Sequence, residues 1–342
     1  IIIVQGKVEL MRDVAIIGCG MTKFGRLDGK DLMDLLAEAS LRAIDDAGAG
    51  ERDFDSVYVG NMMAGELAHQ TAIASALVDR INLIPAGAER VENGPASGAS
   101  AVKNGFLAVA SGASDLVLVA GGEKMTAVDT DVIGDLVSTM THPTAEYVHG
   151  VTLPAMAALL TRLYMERYGV TERHLAMVAV KNHANALKNP YAHLQRECTI
   201  EGAMNSIMIA DPLRLYYACP ISDGAAAVVL CPLEKAKEFT DKPVRIAGFG
   251  HASDVQTLQE REDPAVLKSV QLASQQAFKM AKLEPKDIGV VETHDAFEIL
   301  EIVQSEDAGF FEKGKGHLAV EKGVTALDGR LPINPSGGLK AK

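Results

Sequence analysis

Apolar positions along the chain fall into a pattern that occurs twice. Val14-Ala-Ile-Ile-Gly-Cys-Gly20 is a short apolar run closed by glycines, the signature of a buried strand ending in a tight turn. The run returns as Val244-Arg-Ile-Ala-Gly-Phe-Gly250. Small residues then follow at helical spacing, Ala39-Ser40, Ala43 and Ala47 in the first copy and Ala273-Ser274, Ala277 and Ala281 in the second. At that same spacing Arg52-Asp53-Phe54 answers Lys286-Asp287-Ile288, and each triplet leads into an expected strand, residues 56–59 and 289–293. Three elements recurring in one order identify an internal duplication.

Each half thus reads strand, long amphipathic helix, strand, which predicts an α/β fold with a mainly parallel sheet covered on both faces. The first half continues through a helix near residues 96–111 to a strand at 116–120. A strand at 225–230 closes it, and residues 232–242 read as a connector. Between residues 124 and 213 nothing matches the second half; periodicity there predicts helices over 153–168 and 172–186. An insertion of this size over a sheet is the usual place for a substrate-covering subdomain. The expected division is an N-terminal extension at 1–10, a first half at 11–123 and 214–235, an inserted loop domain at 124–213, and a second half at 243–342. That second half is shorter than the first by a helix and two strands, so the expectation is an incomplete C-terminal half.

Composition narrows the function classes. A chain of 342 residues that is 48% apolar can bury a sizeable core. The net charge of -12 argues against a broad nucleic-acid-binding surface, which needs clustered Lys and Arg. Cys19, Cys198, Cys219 and Cys231 lie far apart with no Cys-x-x-Cys pair, so neither a zinc site nor a disulfide framework is expected, and a reducing cytoplasm fits. No apolar run reaches the roughly 18–20 residues that span a bilayer, so no membrane association is expected.

Four segments carry candidate chemistry. Glu92-Asn-Gly-Pro-Ala-Ser-Gly-Ala-Ser-Ala101 lies between a strand and a helix, where unpaired N–H groups and the helix dipole suit a nucleophile or an oxyanion; equally, Pro95 simply suits a first helical turn. Asp211-Pro-Leu-Arg-Leu and Ala218-Cys-Pro-Ile-Ser-Asp-Gly224 place a polar turn before a buried strand. In Val291-Glu-Thr-His-Asp-Ala-Phe297 a buried strand ends in His294-Asp295, at the edge where parallel sheets bind ligands. Leu331-Pro-Ile-Asn-Pro-Ser-Gly-Gly-Leu-Lys-Ala-Lys342 sets Ser336, Gly337 and Gly338 after a short strand, a layout suited to close backbone approach to a ligand.

Taken in order, Asp13-Val-Ala-Ile-Ile-Gly, Cys219-Pro-Ile-Ser-Asp-Gly-Ala-Ala-Ala, His294-Asp-Ala-Phe and Asn334-Pro-Ser-Gly-Gly-Leu-Lys-Ala-Lys resemble the thiolase superfamily. The likeness is to the archaeal and bacterial branch similar to sterol-carrier-protein-type thiolases, and it covers the chain from Met11 to Lys342. It implies two duplicated halves in a five-layer arrangement with an inserted loop domain. It implies acetoacetyl-CoA thiolase chemistry, the condensation or thiolysis of coenzyme A thioesters, with no bound cofactor or metal and with links to lipid metabolism and the mevalonate pathway. His294 matches the oxyanion histidine of that branch, Gly337 and Gly338 lie beside the acyl group, and His149, with Lys181-Asn182-His183, borders the substrate channel; Ser336 and Asp295 are further substrate-side candidates. His183 and His193 read equally well as surface or loop-packing residues.

The family's acyl-accepting cysteine aligns with Pro95, which has no nucleophilic atom, and the family's Gly-His-Pro segment is expected to begin after Lys342. Two alternatives stand beside the acyltransferase. One is a cysteine-independent aldol lyase on CoA thioesters, using His294, Asp295 and a tyrosine such as Tyr147; the other is a non-catalytic CoA-binding or scaffold subunit. Expected partners are a second copy of the chain in a dimer or tetramer, a small zinc-ribbon and oligonucleotide-fold protein, and hydroxymethylglutaryl-CoA synthase.

Overall fold

The computed structural model describes residues 11–50 and 53–342. The expected extension at residues 1–10 and Arg52 of the repeat lie outside the described residues. In chain order the elements are β1 (Val14–Met21), α1 (Leu32–Asp46), β2 (Ser56–Gly60), α2 (Ala64–Ala68), α3 (Ile73–Arg80), β3 (Gly87–Val91), α4 (Ser97–Ala110) and β4 (Val117–Lys124). Next come α5 (Thr130–Ser138), α6 (Leu153–Tyr168), α7 (Glu172–Ala186), α8 (Ile200–Met204), β5 (Met208–Ala210) and β6 (Leu213–Arg214). Last are β7 (Asp223–Pro232), β8 (Val244–Arg245), α9 (Lys268–Ala281), α10 (Glu298–Asp307) and α11 (Gly316–Glu321). They divide into two compact units: the chain through Thr22 with Leu27–Lys124 and Asp223–Ala247, and Lys23–Arg26 with Met125–Ser222 and Gly248–Lys342. Among the described residues no helix is long and apolar enough to cross a membrane.

The first unit is built on a six-stranded sheet in the order β3-β2-β4-β7-β1-β8. Strand periodicity divides its side chains between two faces. Leu118 and Ala120 of β4 join Leu35, Leu36, Ala39 and Ala43 of α1 in one buried cluster. On the other face α4 comes so close that a Cβ on Gly105 would stand 2.7 Å from Val119 Cγ2. The sheet is mixed rather than mainly parallel: β2 runs parallel to β3 and β4, whereas β7 is antiparallel to both β4 and β1. Its register gives the reason. Lys124 at the end of β4 pairs with Asp223 at the start of β7, so the inserted segment leaves and re-enters at one edge and the two strands form an interrupted hairpin needing no crossover. A buried ion pair between Lys124 Nζ and Asp223 Oδ2, 2.5 Å apart, closes the base of that insertion.

In the second unit α6 and α7 occupy the expected spans, each started by a threonine. Thr152 Oγ1 accepts the N–H of Ala155, and Gly169, with φ of 72°, ends α6. The strands expected at 244–250 and 289–293 do not form in full. What remains is Val244–Arg245 and one isolated bridge between Val291 and Ile333. A strand persists only where neighbours take up its backbone groups, and the described residues supply few here. Accordingly α9 has no buried residue, although α1, its counterpart in the repeat, buries a full apolar face.

The duplication survives in a shared close contact. A Cβ on Gly18 would come 2.5 Å from the Ala47 nitrogen, and one on Gly248 would come 2.9 Å from the Ala281 nitrogen. Gly20 faces the carbonyl of Ala39 as Gly250 faces that of Ala273. Glycine and alanine recur because each strand end lies directly on its helix. Replacing Gly20 with alanine is therefore expected to destabilise the first unit by about 1–3 kcal/mol through overpacking. Gly134→Ala on the exposed face of α5, where a Cβ meets nothing, is expected to stabilise by up to about 1 kcal/mol. Urea unfolding of both variants checks the two signs.

Candidate functional site

Pro95 and His294 belong to different units. Pro95 is exposed in the turn that starts α4. Small residues place this turn directly on the sheet, since a Cβ on Gly60 would stand 2.7 Å from Gly98 Cα. Three short hydrogen bonds knit the turn. Ser97 Oγ donates to the Gly94 carbonyl at 2.6 Å and accepts the Asn93 N–H at 2.9 Å, and Glu92 Oε1 accepts the Gly94 N–H at 2.6 Å. Nothing at position 95 can attack a thioester.

In the second unit the two segments singled out at its C-terminal end come together. The side chain of Asp295, wholly buried, accepts the Leu339 N–H on Oδ1 at 2.6 Å and the Asn182 amide on Oδ2 at 2.8 Å. It lies against Gly338, where a Cβ would come 2.6 Å from Asp295 Oδ1. Gly337 and Gly338 have φ of 99° and 65°, a region that favours glycine. Ser336 is tied by its N–H and its hydroxyl to the two carboxylate oxygens of Glu292, both at 2.9 Å. The backbone of His294 is clamped by Gln304, whose amide donates to the His294 carbonyl at 2.8 Å. Protein crowds the His294 ring enough to hold its pKa below the ordinary imidazole value, but the side chain stays open to solvent and water screens the effect. His149, exposed in a single turn at Tyr147–His149, is not joined to this group.

Beneath the glycine loop lies a buried ionic layer. Glu301 Oε2 accepts from Lys181 Nζ at 3.1 Å, the Asn182 amide at 3.0 Å and the Asn334 amide at 2.8 Å. Lys181 also donates to the Ile333 carbonyl at 2.6 Å. Burial pushes the Asp295 carboxyl up to about 7, helped by the Glu301 charge and opposed by the Leu339 N–H. Glu298, fully buried with neither carboxylate oxygen hydrogen-bonded, is raised well above the usual range by burial and by Asp295. Burial also lowers Lys340, which is 2% exposed and lies 5.7 Å from the Tyr216 ring centroid, although Glu298 opposes the shift. His183 is pushed down to about 4 by burial and by Lys340; its Nδ1 faces the Arg196 carbonyl at 3.0 Å. The Cys219 thiol is pushed up to about 11 by burial, which leaves it a thiol.

Glu298 and Glu301 join Asn334 and Lys340 of the glycine-loop motif in this layer, and motif reading passed over the two glutamates. Their signal was present: Glu298 and Glu301 interrupt the apolar Ile299, Leu300, Ile302 and Val303 at helical spacing, and carboxylates on a buried helix face announce partners. What the arrangement offers chemically is a backbone loop free of side-chain bulk, a histidine beside it, and carboxyls behind it that burial shifts towards the protonated acid. Among the described residues no group of three or more His, Cys, Asp or Glu is placed to hold a metal ion.

Two family models together cover most of the chain. Residues 14–234 match the family model "Thiolase, N-terminal domain" and residues 250–342 match "Thiolase C-terminal domain-like". An acetyl-CoA acetyltransferase of Methanothermobacter thermautotrophicus is 48% identical over 334 residues, 97% of this chain and 86% of that protein. The 17-hydroxy-3-oxo-4-pregnene-20-carboxyl-CoA lyase of Mycobacterium tuberculosis is 31% identical over 96% of this chain and 87% of its own. Among solved structures, the Ltp2-ChsH2(DUF35) aldolase superposes with a TM-score of 0.85 at 28% identity, over 98% of this chain and 86% of that one.

Two outcomes follow from the buried layer. Removing Glu301 as Glu301→Ala leaves Lys181 without its buried carboxylate and is expected to cost about 3–5 kcal/mol in chemical denaturation. Asp295 binds its proton more tightly folded than unfolded, where its pKa is about 3.9, so its contribution to stability is full below pH 4 and is lost as pH rises towards 7. Glu298 acts in the same direction. Unfolding free energies measured from pH 4 to 7 should fall with pH in the native protein and fall less steeply in Asp295→Asn.

Proposed function

Because the chain belongs to the thiolase family, matched by family models over both halves, we propose that it acts on coenzyme A thioesters as a C-acyltransferase of the acetoacetyl-CoA thiolase type. The observation that carries this reading is the Gly337-Gly338 loop, held against Asp295 beside His294. In a Claisen condensation one acyl-CoA loses a Cα proton, its enolate carbon attacks the carbonyl of a second acyl group, and coenzyme A leaves as the thiol. Negative charge gathers on thioester oxygens at both stages, and preorganised donors facing those oxygens lower both barriers. In this reading His294 and the glycine-loop backbone face that charge, Ser336 and Asp295 hold the loop, and His149 borders the substrate channel. Coenzyme A enters as part of the substrate, and the chemistry calls for no bound cofactor.

Position 95 limits the covalent half of the reaction. With proline there, the chain's own turn cannot carry the acyl group that a thiolate would carry. That observation favours a second reading, aldol cleavage of a β-hydroxyacyl-CoA, which needs proton transfer and enolate stabilisation but no acyl-enzyme. The lyase and aldolase relatives support it. Our reading also includes a cytoplasmic setting and a homo-oligomer, supported by the exposed apolar run Ile207, Met208 and Ile209 with Leu215. A small second subunit of zinc-ribbon and oligonucleotide-fold type is included as well, supported by the paired name of the aldolase neighbour. Association with hydroxymethylglutaryl-CoA synthase and a place in the mevalonate pathway rest on the family resemblance.

Acetyl-CoA titration and acetoacetyl-CoA thiolysis test the first reading on the native protein and on Pro95→Cys. Saturable acetyl-CoA binding is expected in both. The variant should acquire an acetyl group on residue 95, detected by peptide mass spectrometry, and gain about 10²-fold or more in thiolysis. A variant that binds acetyl-CoA and neither becomes acetylated nor gains thiolysis would sink it. β-Hydroxyacyl-CoA cleavage that persists when all four cysteines are serine would establish the second reading instead.

A further inference from the structure

Two histidines outside the glycine-loop site meet where α7 begins. His174, in the first turn of α7, and His317, in α11, bring their rings to a centroid distance of 4.8 Å with the planes 58° apart. His174 Nδ1 stands 3.0 Å from the Thr171 nitrogen, whose N–H it accepts, and 3.1 Å from Thr171 Oγ1. This is a capping box in which an imidazole takes the place that Glu or Gln usually fills. His317 is 5% exposed, and its Nδ1 is buried without a hydrogen-bond partner.

An imidazole nitrogen that accepts an N–H must carry a lone pair, so His174 is the neutral tautomer with its proton on Nε2. A second proton would enter at Nδ1. The Thr171 hydroxyl could then turn round and accept, but the backbone N–H cannot, and it would face another N–H. The new charge would also stand in the first turn of a 15-residue helix, where the dipole disfavours a cation, and against a second ring. Glu321 on α11 favours protonation of both rings. Burial lowers both; Arg173 adds to that effect on His174, and the His174 ring and Lys315 add to it on His317. Other acids on the surrounding elements are engaged elsewhere: Glu172 holds Arg214, Glu306 of α10 takes the Gly316 N–H, and Asp307 holds Lys313.

We propose that His174 and His317 form an acid-operated latch between α7 and α11: uncharged rings pack together with His174 capping the helix, and a proton on His174 removes the cap and parts the rings. The first turn of α7 is then free of α11, while the helix beyond it stays anchored through Lys181 and Asn182 to Glu301. The sign of the pH dependence is opposite to that of Asp295. Rings held below the unfolded value of about 6.5 contribute stability that is full above that value and is lost as pH falls through the folded one. Local opening, rather than global unfolding, therefore reports on the latch.

The test uses the full chain without added ligand, taken from pH 7.5 to 4.5. Ring nitrogen shifts in NMR read the protonation of each histidine. Hydrogen exchange, expressed as protection so that the pH dependence of intrinsic exchange cancels, reads the amides of Thr171, Leu175 and Ala176 against those of β2. In native protein the three protections are expected to fall about five-fold or more as His174 gains its proton, with β2 unchanged. His174→Gln supplies an acceptor that does not titrate, so its three amides should change by less than about two-fold. In the same variant His317 should gain its proton at a higher pH than in native protein, because the neighbouring charge is gone. The latch is overturned if the native amides keep their protection once His174 is protonated, or if His174 stays neutral down to pH 4.5. It is also overturned if His174→Gln loses protection as native protein does, and unchanged proton uptake by His317 in that variant overturns the pairing. Should His174→Gln fail to fold, His174→Glu, a usual capping-box residue, is read in the same way above about pH 5.

Discussion

One carboxylate oxygen, Oε2 of Glu301, ties together three segments that are far apart in sequence. Lys181 and Asn182 come from the inserted helix α7, Asn334 comes from the approach to the glycine loop, and Glu301 itself belongs to α10. A carboxylate that is 1% exposed is tolerable only with its charge compensated and its lone pairs occupied. That requirement is what holds α7, α10 and residues 331–342 in one geometry. It also supports local strain: Asn334 keeps a left-handed backbone at φ 54° while its side chain donates to Glu301 and accepts the Thr293 N–H. With the Glu301 oxygen in place, both faces of Asn334 are satisfied, and the turn into Ser336, Gly337 and Gly338 is set.

Around that point charge is held low. Asp295 and Glu298 are both shifted towards the protonated acid, Lys340 is shifted towards the neutral amine, and His183 towards neutral imidazole. Each shift begins with burial, which penalises whichever form is charged. The common effect is a layer behind the glycine loop that carries less net charge than its composition implies. An ionised Asp–Glu pair in that place would repel an enolate, whereas protonated acids do not. The electrostatics of the second unit thus follow from its packing, and they suit a reaction whose difficult species is an anion.

The sequence revealed the architecture wherever the controlling contact is short-range or sterically exclusive. Gly18, Gly20, Gly248 and Gly250 were legible as a repeat because no other residue fits where a strand end lies on a helix, so spacing alone carries the information. Helices α6 and α7 were legible from periodicity. The strands expected at 244–250 and 289–293 were over-read, because an apolar run reports a preference for burial and not the presence of a neighbour to pair with. Antiparallel β7 was missed for a related reason: its direction is decided by where the inserted segment re-enters, at the Lys124–Asp223 base. At the candidate site, His294, Asp295 and the glycines were legible as motif residues. Glu301 and Glu298 were not, since a charge on a helix reads as solvent-facing until the packing around it is known.

Pro95 and the buried layer bear on different halves of the proposed chemistry. The turn at the start of α4 is knit by hydrogen bonds among Glu92, Asn93, Gly94 and Ser97, and Pro95 within it offers no nucleophilic atom. The second unit is different. A buried ionic layer is a poor device for stability alone, because well-packed apolar residues of similar volume do as well or better. Glu298, with neither oxygen hydrogen-bonded, adds desolvation that its attraction to Lys340 offsets only in part. The physical case for function therefore rests on the Asp295–Glu298–Glu301 layer and the loop it supports, and it stands whether or not residue 95 ever carries an acyl group.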